Sequence, residues 1–397
     1  MRIAQINVSH YGSTGKIMLQ IADQARARGH ECKTFSRAWK NQALPSSEHA
    51  FVGSHFANGV HHIFAAITGK NEEYSKKGTK KLVKILENYQ PDVLHLHNLH
   101  GWFIHLPTLF AYIKKSGVRV VWTLHDCWAF TGHCPYFDMV DCKKWTTGCF
   151  DCPQYKAYPN NFVDSSKRSY AKKKEWFLGV MDMTIVTPSK WLADLVKRSF
   201  LKDYNVQVIN NGIDLSVFRP RESDFRVRYG LQDKYILLCV AFAWGKRKGL
   251  DVLIELSKHL DKRYQIVLVG TSENTEKQLS GNIISIRKTQ NQTELAEIYS
   301  AADLFVNPTR EENFPTVNIE SLACGTPVLT FKTGGSPEVI DETCGAVVDK
   351  DDIDAMQKEI ERICAEKPYT SGACTSRAQI FDKNDKFNEY VDLYERE

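Results

Sequence analysis

Nowhere in this sequence do about 18 apolar residues follow one another, so no bilayer-spanning helix is encoded and any membrane contact has to be peripheral. The opening MRIAQINVSHYG lacks the apolar core and small-residue cleavage site of a secretory leader and reads as a strand, which sets a cytoplasmic location as the expectation. Charge of one sign is also scarce: 52 Lys and Arg against 47 Asp and Glu leave +5. That excludes a tract dense enough to argue for nucleic acid, but suits anionic substrates or an anionic inner membrane face. Internal repeats and low-complexity tracts are missing. The short basic run Lys167 to Lys174 reads as a solvated helix face, with acceptor or membrane-surface contact as the alternative.

What is present is the material of globular cores. Hydrophobic residues at 43% and charged residues at 25% exclude wholesale disorder. The length of 397 residues exceeds the roughly 250 to 300 at which single cores stop growing, so two domains are expected. Short β-branched runs alternate with helical patterns: Ile3 to Val8, Val93 to His97, Val118 to Leu124 and Met183 to Thr187, then Tyr235 to Val240, Gln265 to Gly270, Leu304 to Asn307 and Pro327 to Phe331. Buried runs separated by amphipathic segments mark parallel βαβ units, and two series predict two Rossmann-like α/β domains. The boundary falls in the turn-rich stretch between residues 202 and 215, giving domains 1–205 and 206–380. Phe381, Phe387, Tyr390, Val391 and Tyr394 leave a helical apolar stripe in 381–397 that needs a surface to pack against.

Candidate chemistry concentrates in REENFPTVNIESLACGTPVL, residues 310–329. Glu312 precedes a loop and Glu320 lies inside a helix beginning near Thr316. Beyond the carboxyl end of a strand, a helix N-terminus offers free N–H groups to a diphosphate. Glu320 could then accept from ribose hydroxyls while Glu312 sits nearer a sugar. Arg247 and Lys248, in AFAWGKRKG, are fixed cations of the kind needed where charge grows on a leaving phosphate, with Lys246 as competitor. GSTGKI, residues 12–17, has His10 and Ile17 where a phosphate-binding P-loop requires Gly and Ser or Thr, so an ATPase or GTPase reading fails. Gly12 and Gly15 keep the lesser role of a glycine turn bringing backbone N–H groups to a donor. His125 sits at the carboxyl end of a strand, facing a cleft by the same sheet rule. His95, His97 and His100 read as cleft lining and packing, with metal ligation the alternative. Cys134, Cys142, Cys149 and Cys152 form a loop cluster ending in C-x2-C; four thiolates suit tetrahedral structural zinc, with free thiols or disulfides as alternatives.

The Glu-x7-Glu motif, SLACGTPVL and TGGSPEVI (333–340) together resemble the donor-site signature of family 4 glycosyltransferases. IVTPSKWLADLV and VINNGID resemble that family's interdomain passage, and YSAADLFVNPT resembles its strand before the glutamate loop. PDVLHLHNLHGWF and TLHDCWAFTGHC are similar to segments of its capsular and exopolysaccharide enzymes, of colanic-acid type. The resemblance implies a GT-B fold, two Rossmann-like domains facing each other across a donor/acceptor cleft, the N-terminal one on the acceptor side and the last helix crossing back onto it. It implies sugar transfer from a UDP- or GDP-sugar to a glycan or lipid-linked acceptor, with retention and without a catalytic divalent metal, in surface polysaccharide synthesis. His125, Arg247, Lys248 and Glu312 would serve the reaction. Gly12, Gly15, Phe314, Pro315, Thr316, Val317, Glu320, Gly334 and Gly335 would hold the donor. The family's usual Gly-Arg after the strand is missing here, so Arg247 and Lys248 would supply both cations. A nucleotide-sugar epimerase on the same architecture, and a non-catalytic carbohydrate- or nucleic-acid-binding protein, are the alternatives.

Overall fold

Each of the eight apolar runs is a strand in the structure, a computed structural model that describes residues 1–40, 43, 46–279 and 282–396. The chain divides into two units, one formed by Met1–Ile209 with the chain from Phe387 onward, the other by Asn210–Lys386. In the first unit the strands are β1 (Arg2–Asn7), β2 (Glu31–Arg37), β3 (His49–Val52), β4 (Val93–Leu96), β5 (Arg119–Thr123), β6 (Met183–Thr187) and β7 (Asn205–Val208). They pair in parallel in the order β3-β2-β1-β4-β5-β6-β7. The second unit has β8 (Tyr235–Val240), β9 (Tyr264–Val269), β10 (Ile283–Ile286), β11 (Leu304–Asn307), β12 (Val328–Phe331) and β13 (Gly345–Val348). Their parallel order is β10-β9-β8-β11-β12-β13. Strands β2, β3, β7, β10 and β13 escape the sequence reading because they are short or mixed in polarity. The edge strand β7, for example, exposes both ends and only half-buries its centre.

Side chains alternate across each sheet. On β1, Ala4 and Ile6 join one core with Phe35, Leu94, Leu96 and Trp122. Ile3 points to the other face with Val93, Val121 and Val186. That second face is completed by Phe387, Tyr390, Val391, Leu393 and Tyr394, all on the helix Lys383–Glu395. Full burial of such side chains contributes about 1.5–3 kcal/mol each. Phe381 behaves differently from the expected stripe. It lies in the core of the second unit, its ring 5.6 Å from that of Phe314. The physical reason is a backbone clasp: Ile213 N–H donates to the Phe381 carbonyl at 3.0 Å and Lys383 N–H to the Ile213 carbonyl at 2.9 Å. The chain therefore passes between units at Ile209–Asn210 and Lys386–Phe387 rather than at 205/206 and 380/381. Glu397, the last residue of the expected segment, lies outside the described residues.

In the basic run Lys167 and Lys174 are exposed as expected, and one residue departs from that reading. On the helix Ser166–Phe177, Lys173 is wholly buried rather than solvated. Its Nζ donates to the carbonyls of Trp128 at 2.9 Å and Thr131 at 3.3 Å, lies over the Trp128 ring and sits 3.7 Å from a Glu72 oxygen. Burial lowers its pKa to about 8, opposed by Glu72. Arg168 is spent on a two-pronged ion pair with Glu73. A buried cation of this kind is tolerable only because partners surround it.

Candidate functional site

In each sheet the chain reverses its direction of spread once, between β1 and β4 and between β8 and β11. Ligands of open α/β sheets bind beyond the carboxyl ends of strands at such a point. In the second unit the loops that follow β8, β11 and β12 hold the predicted residues, and close backbone contacts lock them together. Gly249, at φ +73°, lies so near Pro308 that an added Cβ would be 2.2 Å from its carbonyl oxygen. Gly334, at φ +54°, lies equally hard against the Glu312 carbonyl. Arg310 N–H donates to the Arg247 carbonyl at 2.9 Å, and Gly335 N–H to that of Asn313 at 2.9 Å. Only glycine fits both the left-handed backbone and the contact at these two positions.

This framework brings Lys248 and Glu312 into an ion pair. Burial would raise the Glu312 pKa, but Lys248, then Arg247 and the Asn313 N–H, hold it below the usual carboxylate value. Arg247 is exposed and donates from one guanidinium nitrogen to the Glu311 carbonyl at 3.2 Å. Lys246 contributes its carbonyl, which accepts from Arg310, while its side chain is exposed. Pro315, at the N-cap of the helix Thr316–Ala323, offers no side-chain acceptor to the first N–H groups of that helix. Phe314 itself is core, and its carbonyl accepts from Asn211 at 3.1 Å. Glu320 accepts from the buried Tyr299 hydroxyl at 3.2 Å, which orients the carboxylate. Thr333 Oγ1, beside the glycine turn, and Ser336 Oγ are buried with no hydrogen-bond partner among the described residues, leaving hydrogen-bonding capacity for a ligand. Phe242, two residues after β8 in the stretch that lacks the family's usual Gly-Arg, is fully exposed.

In the first unit, the turn after β1 leads into the helix Gly12–Ala27. Gly12 has φ +71°, and an added Cβ on Gly15 would lie 2.5 Å from the His10 carbonyl carbon, so the first helical turn backs directly onto the loop. Ile17 is core, as a residue outside any phosphate loop should be. His125, two residues after β5, stacks on His97 with ring centroids 5.4 Å apart. A hydrogen-bond chain assigns its tautomer. Gln5 donates to Cys32 Sγ at 3.6 Å, leaving its oxygen to accept from His97 Nε2 at 3.0 Å. His97 Nδ1 then accepts from His125 Nε2 at 3.1 Å, which places the lone pair of His125 on Nδ1. Burial lowers the His125 pKa to about 4, partly opposed by Asp126, and drives that of His97 well below its ordinary value. His95 is engaged by Tyr394 and Thr123 at 2.6 and 2.8 Å, and His100 pairs with Asp126 at 3.0 Å. Both ring nitrogens of His95, His97 and His100 are engaged in hydrogen bonds. The Gln5 contact was not visible in the sequence, because strand neighbours 92 residues apart supply it.

All eleven cysteines are free thiols. Cys134, Cys142, Cys149 and Cys152 line one cavity of about 20 Å³ with His133, Lys144 and Trp145. Gly132 N–H donates to Cys149 Sγ at 3.1 Å. Among the described residues no group of three or more His, Cys, Asp or Glu side chains is arranged to hold a metal ion. Nor is any helix among them long and apolar enough to cross a membrane.

Family models match both units: "Glycosyltransferase Family 4" over residues 14–217 and "Glycosyl transferases group 1" over residues 234–366. The chain is similar to the putative colanic acid biosynthesis glycosyl transferase WcaC of Escherichia coli K12, 25% identical over 318 residues, covering 77% of this chain and 76% of that protein. Sucrose-phosphate synthase from Thermosynechococcus elongatus has the same fold, with a TM-score of 0.73 at 20% identity over 99% of this chain and 98% of that one. So does Anabaena Alr3699/HepE in complex with UDP and glucose, with a TM-score of 0.68 at 14% identity over 99% of both chains. Neither the epimerase nor the non-catalytic binding reading finds support in these comparisons.

Proposed function

Since the chain belongs to glycosyltransferase family 4 and is a glycosyltransferase of GT-B fold, we propose that it transfers a sugar from a UDP- or GDP-sugar to a glycan or lipid-linked acceptor in surface polysaccharide assembly. It would work in the cytoplasm at the inner membrane face, and with retention of anomeric configuration. The observation that carries this reading is the placing of Arg247, Lys248 and Glu312 on loops after β8 and β11, the strands flanking the switch point. The colanic-acid relative supports the polysaccharide role, and the solved relative holding UDP supports a nucleoside diphosphate donor.

In this reading the diphosphate lies against the uncapped start of Thr316–Ala323 and the Gly334–Gly335 turn, and Glu320 accepts from the ribose. Arg247 and Lys248 meet the charge that grows on the leaving phosphate, which makes their contribution largest in the transition state. Lys248 is held in place for that role by its ion pair with Glu312 until a diphosphate arrives. Gly12 and Gly15 present backbone N–H groups to the donor, and His125, neutral with its lone pair on Nδ1, accepts from a sugar hydroxyl. With retention, the acceptor hydroxyl attacks the face from which the diphosphate departs, and a donor phosphate oxygen takes its proton. Structural zinc on Cys134, Cys142, Cys149 and Cys152 belongs to the same proposal. What supports it is the cavity that the four thiols share, although burial raises the Cys149 thiol to about 11 against the Gly132 N–H bond; the ion would cross-link the loop.

A thermal-shift screen of nucleotide sugars followed by a product assay with and without acceptor tests the reading. A donor at about 100 times its dissociation constant should stabilise by about 2.7 kcal/mol. No shift with any UDP- or GDP-sugar, or conversion of the donor sugar without acceptor, would overturn it.

A further inference from the structure

Among the described residues two lysine or arginine side chains are buried, Lys173 and Arg37. Lys173 has Glu72 beside it. Arg37, 8% exposed, has no carboxylate partner among the described residues. Its guanidinium makes one hydrogen bond there, from Nη1 to the Gly101 carbonyl at 2.7 Å, and its Nε is buried without a partner. Burial pulls its pKa down, opposed by the hydroxyls of Tyr158 and Tyr11 rather than by any acid. Asp126, the acid that reaches the same cluster, is committed to His100 Nε2 at 3.0 Å, and His100 Nδ1 in turn meets the Tyr158 hydroxyl at 2.8 Å. A buried cation without an anion is costly, and an unsatisfied group of this kind marks a place that a ligand completes.

Its position is that of a ligand group. Arg37 ends β2, Tyr11 stands on the turn after β1 and Gly101 on the loop after β4. The cluster therefore lies beyond the carboxyl ends of three neighbouring strands, at the switch point between β1 and β4. The surround is aromatic. The guanidinium carbon lies 4.4 Å from the centre of the Trp39 ring and 5.9 Å from that of Trp102. Tyr11 meets Trp39 edge-on at 5.6 Å, and Tyr158 meets Trp102 in the same way at 5.6 Å. Tyr11 and Tyr158 are 42% and 44% exposed, so the outer rings are open to solvent while the cation lies beneath them. Such rings stack on the C–H face of a pyranose, and a planar guanidinium takes two oxygens of one carboxylate or phosphate. In the proposed reading the donor diphosphate is provided for by Arg247 and Lys248, which leaves Arg37 to the acceptor.

We infer that Arg37 selects an acidic acceptor, a saccharide that lays its ring against Trp39, Tyr11 and Tyr158 and sets a carboxylate or phosphate on the guanidinium. The inference rests on the reading of the chain as a transferase with a glycan acceptor, and deepens it by giving that acceptor a charge.

Saturation-transfer NMR titrations of the full chain read binding directly, with methyl glucuronide, phosphorylated glucose and neutral methyl glucoside as probes. At least one acidic sugar should bind about tenfold or more tightly than the neutral one, and which of them does so tells carboxylate from phosphate. Arg37→Met should remove that preference. Arg37→Lys should keep part of it, because lysine retains the charge but not the fork. Tyr11→Ala, a change at a half-exposed ring, should weaken every sugar and leave the preference intact. Thermal melting shows whether each variant is folded, and the lysine and tyrosine variants carry the test if the methionine variant is not. Equal binding of all three sugars, no binding of either acidic sugar, or an unchanged preference in Arg37→Met overturns the inference. Preference for an acidic sugar in protein that no nucleotide sugar stabilises would refute the donor reading and leave this site standing; a nucleotide-sugar shift without that preference would do the reverse.

Discussion

Lys248 and Glu312 meet as an ion pair between loops that follow the neighbouring strands β8 and β11, so the principal candidate cation is already partnered before any diphosphate is present. Arg247→Ala and Lys248→Ala should therefore lower kcat far more than they raise KM, each by roughly 2.7–4 kcal/mol of transition-state stabilisation. Glu312→Gln should also lower turnover, and in a double-mutant cycle its effect should largely vanish once Lys248 is alanine. Steady-state kinetics decide it; wild-type turnover in both cation variants would remove them from the site.

Glu320 is expected to act on donor binding. Glu320→Ala should raise the Kd of the nucleotide sugar, and Tyr299→Phe should do so less, because it removes only the hydroxyl that orients the carboxylate at 3.2 Å. The loss expected for a hydrogen bond to a charged group is about 1.5–3 kcal/mol. Calorimetric titration measures both; unchanged Kd in Glu320→Ala would place the donor elsewhere.

Acid should unfold the first unit earlier than carboxylate titration alone would. Burial lowers the pKa of His49, His61 and His125 to about 4, and those of His95 and His97 well below the ordinary value near 6.5. Between pH 6.5 and 4 the unfolded chain then binds more protons than the folded one, so stability is full above about pH 6.5 and falls as pH drops through that window. Each histidine contributes a slope of about 1.4 kcal/mol per pH unit at most. Urea midpoints measured across this range should fall with pH; a flat profile down to pH 4 would contradict the burial.

Deleting the chain from Phe387 should prevent the first unit from folding. Phe387, Tyr390, Val391, Leu393 and Tyr394 are all buried in its core, and at about 1.5–3 kcal/mol each their loss is comparable with the whole stability of a typical domain. Tyr394→Phe is the milder probe. It leaves His95 Nδ1 without its 2.6 Å partner and should cost about 1–3 kcal/mol. Truncated protein melting like the full chain would refute the prediction.

The cysteine loop carries a prediction in elemental terms. Purified protein should contain about one zinc per chain, as four thiolates form one closed tetrahedral site, and Cys149→Ser with Cys152→Ser should release it. Metal-free protein with four titratable thiols would sink this part of the proposal.

Much of the fold was legible from the chain alone because its signals are local. β-Branched runs such as Tyr235–Val240 and Leu304–Asn307 need only their own composition to read as buried parallel strands, while Glu312 with Glu320 and the two glycines of the 333–340 segment stand in two short motifs close together in the chain. The edge strands β7 and β10 were not read because each is only four residues long, and β7 also mixes polar with apolar residues. Other features depend on which elements become neighbours, and sequence spacing holds no record of that. Lys173 sits in a run that reads as solvated, yet it is buried because Trp128, Thr131 and Glu72, remote in the chain, surround its ammonium. Phe381 and Phe387 share one apolar period but enter different cores, because the clasp between Ile213 and the residues around Asp382 intervenes. The helix His55–Thr68 buries Asn58 and His61 and exposes Phe56, Ile63 and Ile67. Hydrogen bonds from His61 to Ser75 and Asn71 and from Asn58 to Ala38 hold that rotation, and only the tertiary structure supplies those partners.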